Sequence, residues 1–306
     1  MNFPQENFLK KYCGKSNYSR LINKCYCMEN IQTKSDSPND FFLQKWFLDC
    51  ITEDGDAMIF YAAKLKWKRW EVPYSSWLSY NAKTGLTQKS SYQSVKLPEI
   101  KDDVIYWNGK TFKVSGIWKA LASSIYDRIY NSEEGNLDWN CYQPMSKVHL
   151  KVNDKEITGI GYAEELRLTI APWKIPMNEL RWGRYLSQEN QLVWIELIGE
   201  KKQQWTWFNG EKIENVLIKD DTITIPSKDI CLELDRRIVL EAEKKILKVV
   251  RDLLTYLPYF NKAMTTNFLT ADEFKWLSYG VLKKSGKIIN SGWAIHEFID
   301  FNPSKK

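Results

Sequence analysis

Turn signals punctuate this chain at regular intervals, and their spacing constrains the fold more than any other feature. Glycine-containing turns such as Asp54-Gly55 and Asn209-Gly210 separate short runs rich in aromatic and β-branched residues. We count roughly sixteen such runs between Phe41 and Phe298, each of about the length of one strand. The pattern predicts an all-β fold.

One helical pattern interrupts the strands near the C-terminus. Ile246, Val250 and Leu253 recur at spacings of three and four residues, and Pro258 ends the run. We therefore predict a single C-terminal helix over residues 244–257. Its apolar stripe could dock against the β structure or lie on a membrane surface, and docking is the simpler interpretation.

The sequence also contains a faint internal duplication. Trp46 and Trp182 each begin a strand that is followed by a turn and an aromatic return strand. Asn108-Gly109 and Asn209-Gly210 each close a strand that ends in an aromatic residue. These parallels predict two similar β-barrels or sandwiches in tandem, with an extra insertion in the first half because the spacings differ.

A chain of 306 residues can hold two domains of ordinary size, and we predict three segments. Residues 1–40 are polar, show poor periodicity and end in a turn signal, so we expect an N-terminal arm laid over the body. The first β domain is predicted over residues 41–156. The second is predicted over residues 157–306.

Composition argues against several classes of function. The net charge is +6 with Lys and Arg scattered along the chain, so we predict no nucleic-acid partner. The run of residues 64–69 mixes basic and aromatic side chains, as a nucleic-acid groove would, but a solvated strand face is the simpler interpretation. Aromatic residues make up 14% of the chain, which favours strands and aromatic-lined cavities.

The histidines and cysteines give little support to metal or nucleophilic catalysis. His149 and His296 are the only histidines, too few for a histidine-based metal site or a Ser-His-Asp triad. Cys25 and Cys27 are too close in the sequence for a usual zinc-binding pair, and the sequence has no second cysteine pair to complete such a site. No apolar run has the length of a signal peptide or a membrane span, so we predict a cytoplasmic protein without stable membrane insertion.

The most informative single strand pattern surrounds Glu164. At a period of two residues, one strand face carries Tyr162, Glu164, Leu166, Leu168 and Ile170. Glu165 and Arg167 alternate onto the other face, which we interpret as solvated. An inward carboxyl must be paired, hydrogen-bonded or protonated. Glu164 could therefore pair with an arginine such as Arg184, reach the rim of a barrel, or serve as a proton donor to an apolar substrate.

Five short motifs resemble the carotenoid hydratase and AttH-like group of proteins. They are Gly159-Ile-Gly-Tyr162-Ala-Glu164, Pro172-Trp173, Leu180-Arg-Trp182-Gly183, Trp46-Phe-Leu-Asp49 and Gly292-Trp-Ala-Ile-His-Glu297. The group includes lipocalin-type Diels–Alder cyclases, and tocopherol cyclase looks distantly related. The resemblance extends over nearly all of the chain after the N-terminal arm.

The resemblance implies two lipocalin-like β-barrels packed side by side, with a hydrophobic small molecule inside one barrel or in the cleft between them. It implies a hydratase, isomerase or cyclase that acts on a polyene, terpenoid or polyketide-like chain without a metal or organic cofactor. The acid motif of the hydratases, Gly-Tyr-x-Asp, falls on Tyr162 and Glu164. The sequence departs from that motif, because Glu replaces Asp and Ala163 and Glu165 stand where the family has histidines.

Together the strand pattern and the resemblance predict a catalytic acid at Glu164, oriented by Tyr162. The predicted substrate-binding residues are Trp139, Trp182, Arg184, Trp194, His296 and Glu297. The tryptophans could shield a cationic transition state with their ring faces, or could simply fill a core. His296 and Glu297 could form a second acid–base pair, or could belong to a closing strand with a histidine at its rim.

Two other functions remain compatible with the sequence. A non-catalytic carrier of a hydrophobic ligand would need no buried acid. A structural interaction module built on aromatic sheet faces would have no enclosed cavity. The sequence determines neither the substrate, nor whether the pocket lies in one barrel or between the two, nor the oligomeric state.

Overall fold

The computed structural model describes residues 41–93, 95–242, 268 and 270–302. Within these residues the chain forms twenty strands and three short 3-10 helices, which confirms the all-β prediction. The predicted arm and the predicted C-terminal helix lie outside the described residues. No helix in the described part of the chain has the length and apolar character needed to cross a membrane.

Ten strands form the first antiparallel sheet. In chain order they are β1 (Phe41–Ile51), β2 (Ala57–Trp67), β3 (Trp70–Asn81), β4 (Gly85–Ser91), β5 (Glu99–Lys101), β6 (Val104–Gly109), β7 (Val114–Ala120), β8 (Ile125–Ser132), β9 (Gly135–Val152) and β10 (Lys155–Leu168). Across the sheet the order is β4-β3-β2-β1-β10-β9-β7-β6-β5, and β8 pairs with β9. The first and last strands of the segment are therefore neighbours at its centre.

The second sheet repeats this arrangement. Its strands are β11 (Glu179–Leu186), β12 (Gln191–Ile198), β13 (Lys202–Phe208), β14 (Glu211–Ile213), β15 (Leu217–Ile218), β16 (Thr222–Ile225), β17 (Ile230–Leu234), β18 (Ile238–Ala242), β19 (Asp272–Lys284) and β20 (Lys287–Asp300). The order is β14-β13-β12-β11-β20-β19-β17-β16-β15, with β18 on β19. Each strand takes the place of the strand ten positions earlier in the chain.

This correspondence confirms the internal duplication but corrects one of its two markers. Trp46 and Trp182 lie in the equivalent strands β1 and β11. Asn108-Gly109 ends β6, whereas Asn209-Gly210 forms the turn between β13 and β14. Strands β6 and β7 pair as a hairpin, but the turn after Gly109 is made by a 3-10 helix, in which Lys113 supplies the left-handed residue with φ of 55°. The equivalent 3-10 helix of the second sheet lies between β16 and β17.

The change from one sheet to the other occurs later than the predicted boundary at residues 156–157. Strand β10 pairs with β1 and β9, so it belongs to the first sheet. The connection then runs through the 3-10 helix Pro172–Lys174 to the start of β11 at Glu179. Division of the chain into two separately folding domains stays a prediction.

The central strands of both sheets are buried on both faces, because each sheet has its own apolar interior and the two also share a core, whereas outer strands such as β4 and β5 are largely exposed. Inside the first sheet lie Trp46, Phe60, Trp107 and Trp118; inside the second lie Tyr185, Trp194, Ile223 and Leu232. The shared core between the sheets contains Phe47, Trp139, Tyr162, Trp182 and Trp207. In these central strands the alternation therefore separates two interiors and does not separate an interior from solvent.

This double burial overturns the prediction that Glu165 belongs to a solvated face. Glu165 is 0% exposed and lies on the interior side of the first sheet. Its carboxylate accepts a hydrogen bond from the Tyr142 hydroxyl at 3.1 Å and pairs with Arg167 at 2.8 Å. The charge pattern of the sequence was compatible with solvent, but these partners satisfy the carboxylate inside the sheet.

A buried ion pair links the two sheets within their shared core. Asp49 of β1 and Arg184 of β11 are each 0% exposed and form an ion pair. Arg184 Nε donates a hydrogen bond to Asp49 Oδ2 at 2.8 Å, and Arg184 Nη2 lies 2.8 Å from Oδ1. Arg184 also donates to the backbone oxygen of Trp293 at 3.1 Å. The alternative that Arg184 neutralises Glu164 is therefore wrong, because its guanidinium is engaged by Asp49. Substrate binding by Arg184 stays a prediction that this placement does not favour.

We expect loss of either partner of this pair to be costly, because the remaining charge would be buried without compensation. Arg184→Met or Asp49→Asn should each lower the free energy of unfolding by about 3–5 kcal/mol. The double variant Asp49→Leu/Arg184→Met should recover part of that loss, since it buries no unpaired charge. Urea unfolding of the four proteins measures both effects, and two nearly neutral single variants would contradict the expectation.

Candidate functional site

An apolar cavity of about 400 Å³ lies between the two sheets. Residues of β1, β2, β3, β8, β9 and β10 line one side, and residues of β11, β12, β18, β19 and β20 line the other. The connecting segment around Trp173 contributes as well. The charged side chains on the wall are Lys45, Glu164, Glu241, Glu273, Lys275 and Glu297. The cavity thus lies in the cleft between the two halves, and the interiors of the individual sheets are filled by side chains.

Glu164 lies on this wall with one carboxyl oxygen held by three neutral donors. Its Oε2 accepts hydrogen bonds from the indole of Trp139, from the Tyr162 hydroxyl at 2.6 Å and from the indole of Trp182 at 3.2 Å. No donor among the described residues is hydrogen-bonded to Oε1. Glu164 is 5% exposed and lines the cavity. Because Oε2 is already held by three donors, Oε1 is the oxygen available to a molecule in the cavity.

The electrostatic environment of Glu164 favours the neutral acid. Burial raises the pKa of the Glu164 carboxyl above its ordinary value, and the hydrogen bonds from Trp139, Tyr162 and Trp182 oppose this rise together with the Lys45 ammonium. Burial also raises the pKa of the Tyr162 phenol, which therefore remains a donor. The geometry thus combines a carboxyl that ionises reluctantly with donors positioned to stabilise the carboxylate once it forms.

The local sequence explains how Glu164 reaches this position. A Cβ atom at Gly161 would lie 2.1 Å from the backbone oxygen of Asp49, so only glycine allows β10 to approach β1 this closely. The pairing of β10 with β9 shifts register on both sides of Ala163, and the extra residues lie on β9. Strand β10 itself therefore keeps its regular alternation, which leaves Glu164 on the same face as Tyr162 and Leu166. Trp182 approaches from β11, so its bond to Glu164 connects the two sheets.

Two of the three predicted tryptophans lie at the site. Trp139 and Trp182 line the cavity and donate to Glu164, and both also belong to the shared core. Trp194 lies instead in the interior of the second sheet, where a Cβ at Gly183 would be 2.2 Å from its ring. It therefore does not line this cavity, and its predicted role in substrate binding stays a prediction that this placement does not favour.

Glu297 and His296 are adjacent in β20 and therefore face opposite sides of the sheet. Glu297 lines the cavity and pairs with the Lys275 ammonium at 2.7 Å. His296 is buried on the other side, where its Nε2 lies 2.8 Å from the Ser278 hydroxyl and its ring stacks on Trp276. Burial lowers the pKa of His296 to about 3. His296 is therefore not a rim histidine and does not line the cavity, so substrate binding by it stays a prediction that this placement does not favour.

A charged cluster around Lys275 completes the wall of the cavity, and it was not predicted from the sequence. The ammonium lies 3.1 Å from Glu241, 3.5 Å from Glu273 and 2.7 Å from the hydroxyl of Tyr61 in the first sheet. Burial alone would lower the pKa of Lys275, but the carboxylates raise it well above the usual value. The sequence did contain a signal for Lys275. At a period of two residues it shares its strand face with the apolar Leu277, just as Glu164 shares its face with Leu166.

Among the described residues, no group of three or more His, Cys, Asp or Glu side chains is arranged to hold a metal ion. Three carboxylates converge on Lys275, and the ammonium occupies the centre of that cluster. The polar groups that line the cavity are carboxyls, indoles, phenols and ammoniums.

No protein-family model matches the sequence, and no curated protein matches it significantly. Solved structures do share its fold. The crystal structure of CghA with Sch210972 is 8% identical with a TM-score of 0.55, over 85% of this chain and 89% of that chain. This similarity confirms, at the level of the fold, the resemblance drawn from the sequence motifs.

Two further structures are similar over most of their length. A candidate AttH protein from Nitrosomonas europaea is 9% identical with a TM-score of 0.48, over 85% of this chain and 92% of that chain. Kievitone hydratase from Nectria haematococca is 11% identical with a TM-score of 0.48, over 86% and 90% respectively. The conclusion about the fold rests on CghA, which has the higher score.

The raised pKa of Glu164 predicts a specific pH dependence of stability. The contribution of Glu164 to the free energy of unfolding is fully present below the pKa of about 4.3 that a glutamate has in the unfolded chain. It is lost as the pH rises through the higher pKa of Glu164 in the folded protein. We therefore expect the free energy of unfolding of the wild type to fall relative to that of Glu164→Gln as the pH rises above about 4. Urea unfolding across the pH range measures this difference, and a difference of the opposite sign would contradict it.

Proposed function

We propose, on the premise of the shared two-sheet fold, that this protein is a cofactor-independent enzyme acting on an apolar small molecule by hydration, isomerisation or cyclisation. The observation that carries the proposal is the Glu164 carboxyl on the wall of the apolar cavity, with its pKa raised and Oε1 facing the space. A polyene, terpenoid or polyketide-like chain has the apolar character that this lining would accept.

The proposed chemistry is a proton transfer from Glu164 to a carbon–carbon double bond or to a carbonyl oxygen. As the proton leaves, negative charge develops on the carboxyl group, and the hydrogen bonds to Oε2 from Trp139, Tyr162 and Trp182 strengthen. These donors are fixed by the fold, so little reorganisation accompanies the transfer. The indole faces of Trp139 and Trp182 would stabilise a cationic intermediate beside them.

The second candidate function is a non-catalytic carrier of a hydrophobic ligand. One observation favours it: three donors converge on a single oxygen of Glu164, an arrangement that stabilises the ionised carboxylate. A carboxylate has no proton to give and would act only as a polar anchor. The crystal structure of CghA with Sch210972 supports a small-molecule ligand in either case.

The first experiment identifies the ligand. Native mass spectrometry of the purified protein, followed by organic extraction, should detect an apolar molecule small enough for a cavity of about 400 Å³. Related compounds can then be assayed for loss, gain or migration of a double bond. A protein that binds no apolar compound of this size would contradict both candidate functions.

The second experiment separates the enzyme from the carrier. Glu164→Gln should lower the turnover of an identified substrate by about 10²–10⁴-fold, because general acid catalysis contributes about that factor. Affinity should change much less, since the amide keeps the shape of the side chain. Glu165→Gln is the matched control, because the neighbouring carboxyl is equally buried but faces the interior of the first sheet. Unchanged turnover in Glu164→Gln would favour the carrier.

A further inference from the structure

Tyr61 and Lys275 meet across the two sheets on the cavity wall, in a geometry that leaves one hydrogen-bond donor uncommitted. The Lys275 ammonium donates to the Tyr61 hydroxyl oxygen at 2.7 Å. An ammonium has no lone pair, so the hydroxyl cannot donate its own hydrogen back to Lys275. Among the described residues no acceptor is hydrogen-bonded to that hydroxyl hydrogen. Because Tyr61 lines the cavity, the hydrogen is available to a bound molecule.

Both groups of this pair remain protonated. Burial raises the pKa of the Tyr61 phenol, and the opposing effect of the Lys275 ammonium does not cancel the rise. The carboxylates around Lys275 hold its pKa well above the usual value, so it carries no nucleophilic amine. The pair is therefore suited to donating a hydrogen bond and not to forming a covalent adduct with a carbonyl.

Lys45 strengthens the donor character of this part of the wall. It lines the cavity, and its ammonium lies over the ring of Tyr61, 5.0 Å from the centroid. It forms no ion pair with any residue that the structure describes. A bound molecule near Tyr61 would thus meet two donors, one phenolic and one cationic.

The same surroundings select the chemical class of the acceptor. Glu241, Glu273 and Glu297 surround Lys275 immediately beside Tyr61, and their negative charge disfavours a carboxylate or phosphate there. A carbonyl oxygen accepts a hydrogen bond without bringing a charge. The remaining lining is largely apolar, so the rest of the molecule must be apolar too.

The position of Tyr61 relative to Glu164 is set by strand pairing. Tyr61 pairs with Phe47, and Phe47 pairs with Glu164, so the three side chains form a row across β2, β1 and β10 on the same face. Two strand spacings separate the backbones of Tyr61 and Glu164 by roughly 10 Å. A molecule held at Tyr61 by its oxygen would extend past Phe47 toward the acid.

We propose that the Tyr61 hydroxyl, positioned by Lys275, binds the carbonyl oxygen of an otherwise apolar ligand and orients that ligand toward Glu164. The substrate class is therefore an apolar ketone, aldehyde or enone and not a pure hydrocarbon. This inference rests on the proposed function, because it requires that the cavity between the sheets holds the ligand.

The test compares 2-acetylnaphthalene with 2-isopropylnaphthalene, two probes of similar shape of which only the first has a carbonyl. Tyr61→Phe removes the hydroxyl alone and leaves Lys275 with its carboxylates. We expect this variant to bind 2-acetylnaphthalene about 3–10-fold more weakly than the wild type, the factor for one neutral hydrogen bond. The affinity for 2-isopropylnaphthalene should not change. Isothermal titration calorimetry measures all four affinities.

Tyr142→Phe is the matched control, because it removes a hydroxyl that donates to Glu165 and does not line the cavity. It should bind both probes as the wild type does. The infrared carbonyl stretch of bound 2-acetylnaphthalene gives a second readout that needs no variant. In the wild type it should lie at a lower wavenumber than in hexane, and a frequency equal to that in hexane would overturn the inference.

The outcomes separate this inference from the proposed function. If both probes bind the wild type and Tyr61→Phe changes neither affinity, or changes both equally, the role of Tyr61 is refuted while a ligand-binding cavity stands. If neither probe binds the wild type, the inference fails together with the binding on which the proposed function depends. Selective loss of ketone affinity and of the infrared shift in Tyr61→Phe supports the inference.

Discussion

Burial of both faces of nearly every central strand is the constraint on which the rest of this structure depends. Each sheet encloses its own apolar interior, and the outward faces of the two sheets then pack against each other. Polar side chains on those outward faces are removed from water and must find partners inside the protein. The shared core accordingly contains three polar arrangements, centred on Asp49, Glu164 and Lys275.

The three arrangements compensate a buried polar group in different ways, and the difference decides which of them can take part in a reaction. Asp49 is compensated by the full charge of Arg184 at both oxygens, in a position away from the cavity. Lys275 is compensated by carboxylates and stays charged. Glu164 receives only neutral donors, all at one oxygen, and faces open space with the other. Of the three it alone combines access to the cavity with a raised pKa that favours its neutral form.

The duplicated topology places this chemistry in a cleft between equivalent halves. Strands β1 and β10 at the centre of the first sheet face β11 and β20 at the centre of the second. Each half contributes what the other lacks: Glu164 comes from the first sheet, whereas Trp182, which donates to it, comes from the second. Tyr61 and Lys275 repeat this division across the same cleft. Neither half contains a complete set of contacts.

The sequence by itself determined the class of fold, the tandem repeat and the inward direction of Glu164, because turn residues and a two-residue period act locally. Trp139, Trp182 and Glu297, which the sequence predicted as substrate-binding residues, line the same cavity as Glu164. It could not distinguish the two interiors of a doubly buried strand, so Glu165, Trp194 and His296 were assigned to the wrong surroundings. Contacts between residues far apart in the chain decide which side of a strand meets the partner sheet. They also decide that Asp49 pairs with Arg184. Only the tertiary structure decides them.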